Sequence, residues 1–369
     1  MSNQESDRVI KRQCFDIPPV QIEVTEHQAQ AKVCPHCNHQ TVAKFPENVV
    51  APAYYGDNLK SYVAYLHSYQ MLSYERICEY FGDMCNHPIS EATIFNILGR
   101  YYDKLKITEE ETKKVILKSD VVHSDETGIN VTGKLNWIHT ISCSVATYYI
   151  LHKKRGKEAM DKMDMLPKYN GIVVHDHWPS YNAYENCSHA FCNAHHLREL
   201  THAIDTTDAN WAKEMKRFLQ ISHKIVKRAK KRGQNSLKEE QIQKLEQKYE
   251  NIIQLGHTFF PKIEKVPKKR GRTKKPKSQN LLLRLDEYKT ETLRFITNFE
   301  VPFDNNMAER DLRMIKVKQK ISGTFMSRAG GEFFARIKGY ISTVKKNGLN
   351  VMDELQNVFL GKAFVPVLG

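Results

Sequence analysis

The feature that most constrains this chain is a change of hydrophobic period between residues 116 and 192. Three runs in succession, VILKSDVVHSDETGINV, LNWIHTISCSV and ATYYILHKK, read as strands. Turn residues part them at Thr132-Gly133-Lys134 and near Ser144. GKEAMDKMDMLPKY is then helical and ends near Pro167, because proline cannot donate to the ladder of an ongoing helix. GIVVHDHW reads as a buried strand after Gly171, and HAFCNAHHLREL passes from a short strand into a helix. Strands joined by tight turns pair antiparallel, whereas strands reached through a helix add in parallel.

The resulting order, β-β-β-α-β-(α)-β-α, is that of an α/β ribonuclease H-like core, a mixed sheet flanked by helices. The other segments arrange themselves around it. Residues 1–50 alternate in short stretches around VCPHCNH and read as a small β-rich knuckle. Residues 51–115 are helical: Asn58 to Leu72 is apolar at helical spacing, Ser73 can cap YERICEYFGDM, and Ser90 can cap EATIFNILGRYYDKL. Two short helices joined by a turn resemble a helix-turn-helix, or a plain helical hairpin. Residues 116–205 form the first part of the core. Residues 206–300 form a helical insertion with stripes at Trp211, Met215, Phe218 and Ile221, and at Leu245, Tyr249, Ile252 and Ile253. Residues 301–369 return to the core, with a break expected at Gly330-Gly331 and a last amphipathic helix, VMDELQNVFL.

Charge narrows the partner. Lys and Arg number 56 against 42 Asp and Glu, a net +14, which suits a polyanion such as double-stranded DNA. The segment VPKKRGRTKKPKSQN (266–280) carries seven Lys and Arg residues and reads as a phosphate-contacting loop or a solvated linker. No apolar run nears the roughly 18 to 20 residues that span a bilayer, and MSNQESDRVIKRQ has no apolar signal core. A cytoplasmic, nucleoid-associated protein without membrane contact is expected. Eight scattered cysteines suit reduced thiols or metal ligands better than a disulfide framework.

Two acids stand out in the strand region: Asp125 in VVHSDETG and Asp176 in VVHDHW, each after a β-branched pair and so expected near the carboxyl end of a core strand. In a ribonuclease H-like sheet the first and fourth strands are neighbours, which brings the two carboxylates together. Facing carboxylates repel, and a divalent cation relieves them. Oxygen ligands with room for water favour Mg²⁺ or Mn²⁺, and two such ions can activate a water or a 3′ hydroxyl on a phosphodiester. A third acid is expected from a later helix. Glu309, in FDNNMAERDLRMIKVK, opens one, with Asn305 and Asn306 setting the helix start. Glu126 competes with Asp125 for its role.

These residues lie in blocks that resemble DDE transposases of the insertion sequence 66 family. The blocks are FDIPP with VTEH and CPHC, HSDETG, VVHDHWPSY, FCNAHHLREL, and PFDNNMAERDLRMIKVKQKISGTFMS followed by GYIST. They run over about residues 14–360, and the last is the most specific. The resemblance implies a catalytic triad of Asp125, Asp176 and Glu309, holding Mg²⁺ or Mn²⁺, in an enzyme that hydrolyses a phosphodiester at an element end and joins the freed 3′ hydroxyl to target DNA. It also implies a homo-oligomer on DNA, accessory element-encoded proteins, and a longer front region with a coiled-coil-like helix, so the chain reads as a partial member. Two alternatives stay open: a ribonuclease H-like nuclease without strand transfer, and a non-catalytic or regulatory DNA-binding protein.

Secondary constellations complete the expectations. Cys34 and Cys37 have the spacing of half a zinc site, with Cys14, His27, His36 and His39 as completing ligands, or form a plain turn with free thiols. Cys192 and His195 form a CxxH pair at a strand-to-helix junction, Cys192 in the core and His195 toward the catalytic face. Arg198 is a phosphate-contact candidate. His175 and His177 flank Asp176, one a buried neighbour and one a DNA contact. Arg310, Arg313, Lys316, Lys318 and Lys320 follow Glu309; 309, 313, 316 and 320 share one helix face and can track a DNA backbone.

Overall fold

A computed structural model describes residues 10–46, 49, 51–260 and 275–368. Near the front, β1 (Ala31–Val33) and β2 (Gln40–Val42) form an antiparallel hairpin whose residues are all exposed. Its turn is the CPHCN stretch: the Cys34 N–H donates to His39 O and the Asn38 N–H to Cys34 O, each at 2.9 Å. Asn38 takes φ 53°, a left-handed conformation that asparagine tolerates.

Helices α1 (Asp57–Ala64), α2 (Tyr74–Cys85), α3 (Glu91–Lys104) and α4 (Lys106–Leu117) follow. Beyond Ala64 the first continues as one wider turn through Tyr69. Ser73 and Ser90 cap α2 and α3, their side chains accepting from Arg76 N–H (3.3 Å) and Thr93 N–H (3.2 Å). Helix α4 claims Val115–Leu117, which the sequence assigned to the first strand. Thr108, Thr112 and Ile116, four residues apart, form its buried stripe and hold the helical period that far.

The sheet contains β3 (Val121–Val131), β4 (Lys134–Ser142), β5 (Thr147–His152), β6 (Ile172–His175) and β7 (Ser188–Phe191), in the order β5-β4-β3-β6-β7. The first three form an antiparallel meander, and β6 and β7 add in parallel. Positive φ at Thr132 and Gly133 makes the tight β3–β4 turn. Helix α5 (Lys157–Met163) precedes β6, and α6 (Asn193–Thr207) follows β7.

Helices α7 (Asn210–Lys231), α8 (Glu239–Phe259), α9 (Lys277–Glu287) and α10 (Lys289–Thr297) share one apolar core built on Trp211, Met215, Phe218, Tyr249, Ile253 and Leu285. Ile221 does not join it and is 38% exposed. At 100° per residue the stripe through 211, 215 and 218 continues at Leu219 and Ser222, which are buried instead.

The chain closes with α11 (Asn306–Ser322), α12 (Arg328–Lys346) and α13 (Val351–Phe359). Leu312 and Ile315 of α11 and Phe334 of α12 pack on Ile129, Val131, Ile138 and Leu151 of the sheet. Ile116, Met160, Met163 and Tyr181 cover the opposite face at Val122 and Ile141. The expected break at Gly330-Gly331 does not occur. Both glycines lie in the first turn of α12, where the Ser327 hydroxyl accepts from Gly330 N–H at 3.0 Å. A Cβ on Gly331 would come within 2.7 Å of Leu151 Cδ2, so the missing side chain lets α12 close onto β5. On its outer side α12 meets the first helices: Ile94, Leu98 and Tyr101 share a cluster with Ile337, Ile341 and Leu355. The architecture is mixed α/β, a five-stranded mixed sheet flanked by helices. Among the described residues no helix is long and apolar enough to cross a membrane.

Candidate active site

Strand register brings the two aspartates to one level. The parallel β3–β6 pairing runs from Val121↔Ile172 to His123↔Val174. Asp125 and Asp176 each lie two residues beyond that last pair, which sets them at one level, and the Asp176 charge is near enough to act on the Asp125 carboxyl. The sequence placed Asp125 at a strand end, but β3 continues six residues further, to Val131. Asp125 sits mid-strand and half-buried, just beyond the point where its neighbour β6 stops. Asp176 begins the turn after β6, and its Oδ1 accepts from Trp178 N–H at 3.0 Å. Asp125 Oδ1 accepts from Glu126 N–H at 2.8 Å. Burial first, and then the charges of Glu126, Asp176 and Glu309, push the Asp125 carboxyl up to about 7.

Glu126 does not compete for the site. Strand alternation turns its side chain to the opposite face. There Arg155 Nε donates to Oε1 at 2.8 Å and the Tyr181 hydroxyl to Oε2 at 2.7 Å. The Arg155 guanidinium in turn lies 3.8 Å from the ring centroid of Trp178. Burial raises the Glu126 carboxyl, but both oxygens are occupied by framework contacts.

Glu309 arrives on the first turn of α11. The residue that supplies the turn before this helix is Asp304, whose Oδ1 accepts from Asn306 N–H at 3.1 Å. Asn305 stands at the cap position, but its side chain does not cap. It is buried and fastens the helix to β3: Oδ1 lies 2.8 Å from His123 Nδ1, and Nδ2 donates to Ser124 O at 2.9 Å. Its own N–H donates to Cys192 Sγ at 3.2 Å. Asn306 is exposed, and its carbonyl accepts from Arg310 Nε at 3.3 Å. Burial pushes the His123 imidazole down to about 4, so at neutral pH it is uncharged.

Cys192 ends β7 and heads α6, with His195 one turn on. Both meet Glu309: Oε1 is 3.8 Å from Cys192 Sγ, 3.6 Å from His195 Nδ1 and 3.8 Å from an Arg198 guanidinium nitrogen. A cleft beside them is lined by Asp176, His177, Trp178, His196, Glu199 and Arg284. His175 is fully buried, stacked on Tyr181 and pushed down to about 3 by burial. His177 is pushed down to about 4 by burial and opens on the cleft.

The basic row after Glu309 divides in two. Arg310, Arg313, Lys316 and Lys320 are exposed, and Lys316 Nζ donates to Gly128 O at 2.6 Å. Lys318 does not belong with them. It is 3% exposed, its Nζ donates to Leu72 O at 2.7 Å, and burial lowers it to about 7. Leu312, Ile315 and Lys318 occupy successive turns of the buried stripe, so Lys318 ties α11 to the loop before α2 and cannot reach DNA. Of the basic run 266–280, residues 266–274 lie outside the described residues, and Lys277 opens α9.

In the hairpin, backbone N–H groups of Cys37 and His36 lower the Cys34 thiol. No third metal ligand gathers with Cys34 and Cys37 among the described residues. The one such group of three found there is Cys192, His195 and Glu309, with ligand atoms within 4.8 Å of one another.

A family model described as "Transposase IS66 family" matches residues 52–333, well over half of the chain and all of this site. The chain belongs to the IS66 transposase family. A curated relative, described as uncharacterized protein y4jO of Sinorhizobium fredii (strain NBRC 101917 / NGR234), is 40% identical over 70 residues. That match covers 19% of this chain and 22% of the relative's length. Sequence reading missed three residues that shape this candidate site and its surroundings. Arg155 and Tyr181 hold Glu126, and Arg284 enters the cleft from the helical insertion, ion-paired with Glu199. No spacing rule relates any of them to the acids.

Proposed function

We propose that this chain is a DDE transposase with a ribonuclease H-like core, acting on double-stranded DNA with Asp125, Asp176 and Glu309 as its catalytic acids. The observation that carries the reading is the level placement of Asp125 and Asp176 at the β3–β6 junction, with Asp125 pushed up to about 7. Among the described residues neither aspartate has an ion-pair partner, so the donor set is oxygen-only and short of positive charge. That suits Mg²⁺ or Mn²⁺. Asp125, Asp176 and Glu309 would hold the cation, or two of them. When bound, such ions activate the attacking oxygen and stabilise the leaving one.

The chain's own groups do the rest. Trp178 N–H fixes the Asp176 carboxylate, and Asn305 anchors the helix that carries Glu309. Arg284 lines the cleft and Arg198 stands beside Glu309, where each could meet a DNA phosphate, and Arg313, Lys316 and Lys320 continue along one helix face. The family resemblance supports work as a homo-oligomer joining two element ends, together with accessory element-encoded proteins.

The test is metal-dependent nicking of the element end. Asp125→Ala, Asp176→Ala and Glu309→Ala should each abolish it while DNA binding persists, and Glu309→Gln should be nearly as damaging. Full cleavage by any of these variants removes that residue from the site. A joining assay with a pre-nicked end distinguishes strand transfer from hydrolysis alone.

A further inference from the structure

The Cys192, His195 and Glu309 side chains converge in a way that the oxygen-only site does not require. Sγ, Nδ1 and a carboxylate oxygen lie within 4.8 Å of one another, with edges of 3.8 Å (S to O) and 3.6 Å (N to O). Around a tetrahedral ion with metal–sulfur bonds of about 2.3 Å and metal–nitrogen or metal–oxygen bonds of about 2.0 Å, those edges are about 3.5 and 3.3 Å. A few tenths of an ångström of side-chain motion would close the difference.

Two further observations point to a ligand. His195 Nδ1 is buried without a hydrogen-bond partner, at a distance from Glu309 too long for one. Cys192 Sγ accepts the Asn305 N–H at 3.2 Å, which holds the sulfur beside Glu309. Burial raises the Cys192 thiol to about 11, and the N–H groups of Asn305, His195 and Ala194 offset this only in part, so a metal binding there displaces the thiol proton. Arg198 is the opposing cation, but it is 62% exposed and 3.8 Å from the carboxylate, so it can leave at little cost.

We propose that Cys192, His195 and Glu309 form a site for a thiophilic divalent transition metal of the zinc type, separate from the cation site at Asp125 and Asp176. Sulfur and imidazole select zinc over magnesium, and three protein ligands leave a fourth position open. An ion there holds Glu309 on the Cys192 side. If Glu309 is the third acid of the proposed triad, zinc then withdraws it from the other two; that consequence alone rests on the transposase reading.

Cobalt(II) is the probe, because a cobalt–thiolate bond absorbs by charge transfer. The full chain carrying Cys34→Ser and Cys37→Ser, which removes the hairpin thiols, should bind one equivalent of Co²⁺ with that absorption and release it to Zn²⁺. Adding Cys192→Ser should remove the charge-transfer band. His195→Ala, at a partly exposed side chain that the fold tolerates losing, should weaken cobalt binding about tenfold or more, and Glu309→Gln should do likewise. Asp125→Ala should leave the spectrum intact, so the metal site is judged independently of any nicking result. The proposal is overturned by absence of the band in the hairpin double variant, by its persistence in Cys192→Ser, or by unchanged cobalt affinity in His195→Ala.

Discussion

Replacing Asp125 by asparagine should stabilise the metal-free protein progressively as pH rises from 5 to 8, while removing activity. In the folded chain the Asp125 carboxyl is pushed up to about 7 from its ordinary value of 3.8. Between those values the folded state binds the extra proton, so stability falls as pH rises, by about 1.4 kcal/mol per pH unit. From pH 5 to pH 7, where the folded-state group is half ionised, this amounts to about 2 kcal/mol; since the side chain is partly open to solvent, screening leaves roughly half of it. Asparagine keeps the shape and the oxygen that accepts from Glu126 N–H, but it cannot ionise. Urea unfolding midpoints in a chelator, read for both proteins at pH 5 and pH 8, should therefore separate further at pH 8, with the variant ahead. Saturating Mg²⁺ should narrow the gap, because a cation bound only by the folded state stabilises the wild type by mass action. A gap that does not grow with pH, or Mg²⁺ stabilisation that is equal in both proteins, would refute the uncompensated-carboxylate argument.

Four further outcomes are expected. Asn305→Ala should cost about 2–4 kcal/mol of stability, by stranding the buried Ser124 carbonyl and His123 Nδ1, and should slow nicking through displaced Glu309; an unchanged urea midpoint would show that these contacts carry no weight. Replacing Arg313 and Lys316 together should reduce the slope of log DNA affinity against log salt by about one to two units, whereas Lys318→Met should leave the slope alone. Lys318→Met should also flatten the rise in stability between pH 7 and about 10, where the unfolded state binds the proton that buried Lys318 has lost. Cys34→Ser should reduce zinc content, measured by atomic absorption in protein that also carries Cys192→Ser, if the hairpin thiols hold metal; equal content with and without Cys34→Ser makes CPHC only a turn.

The strand and helix periods were legible in sequence because backbone geometry imposes them locally. The meander, the Thr132-Gly133 turn and the serine caps of α2 and α3 needed nothing beyond near neighbours. The adjacency of β3 and β6 also followed from the order of elements, since parallel strands need a crossover and crossovers obey a handedness. Prominent acids flanked by β-branched residues marked Asp125 and Asp176, because a carboxylate beside a core strand is costly without a purpose.

Tertiary packing decided the rest. Lys318 reads as one more cation in a basic row, and only the packing of α11 on the sheet and against Leu72 makes it a buried strut. Gly330-Gly331 reads as a break, and the nearness of Leu151 turns it into a close approach of helix to strand. Asn305 reads as a cap, yet its hydrogen-bond partners lie on β3, some 180 residues earlier. Glu126 and Asp125 are neighbours of like charge in sequence; Arg155 and Tyr181, distant in the chain, satisfy one and leave the other bare. The sequence by itself determined which segments are strands and helices and which side chains bear chemistry, because those depend on period and residue type. Which carboxylate is free, which lysine is buried and which thiol meets Glu309 depended on contacts between residues far apart in the chain, and no local pattern encodes a partner that distant.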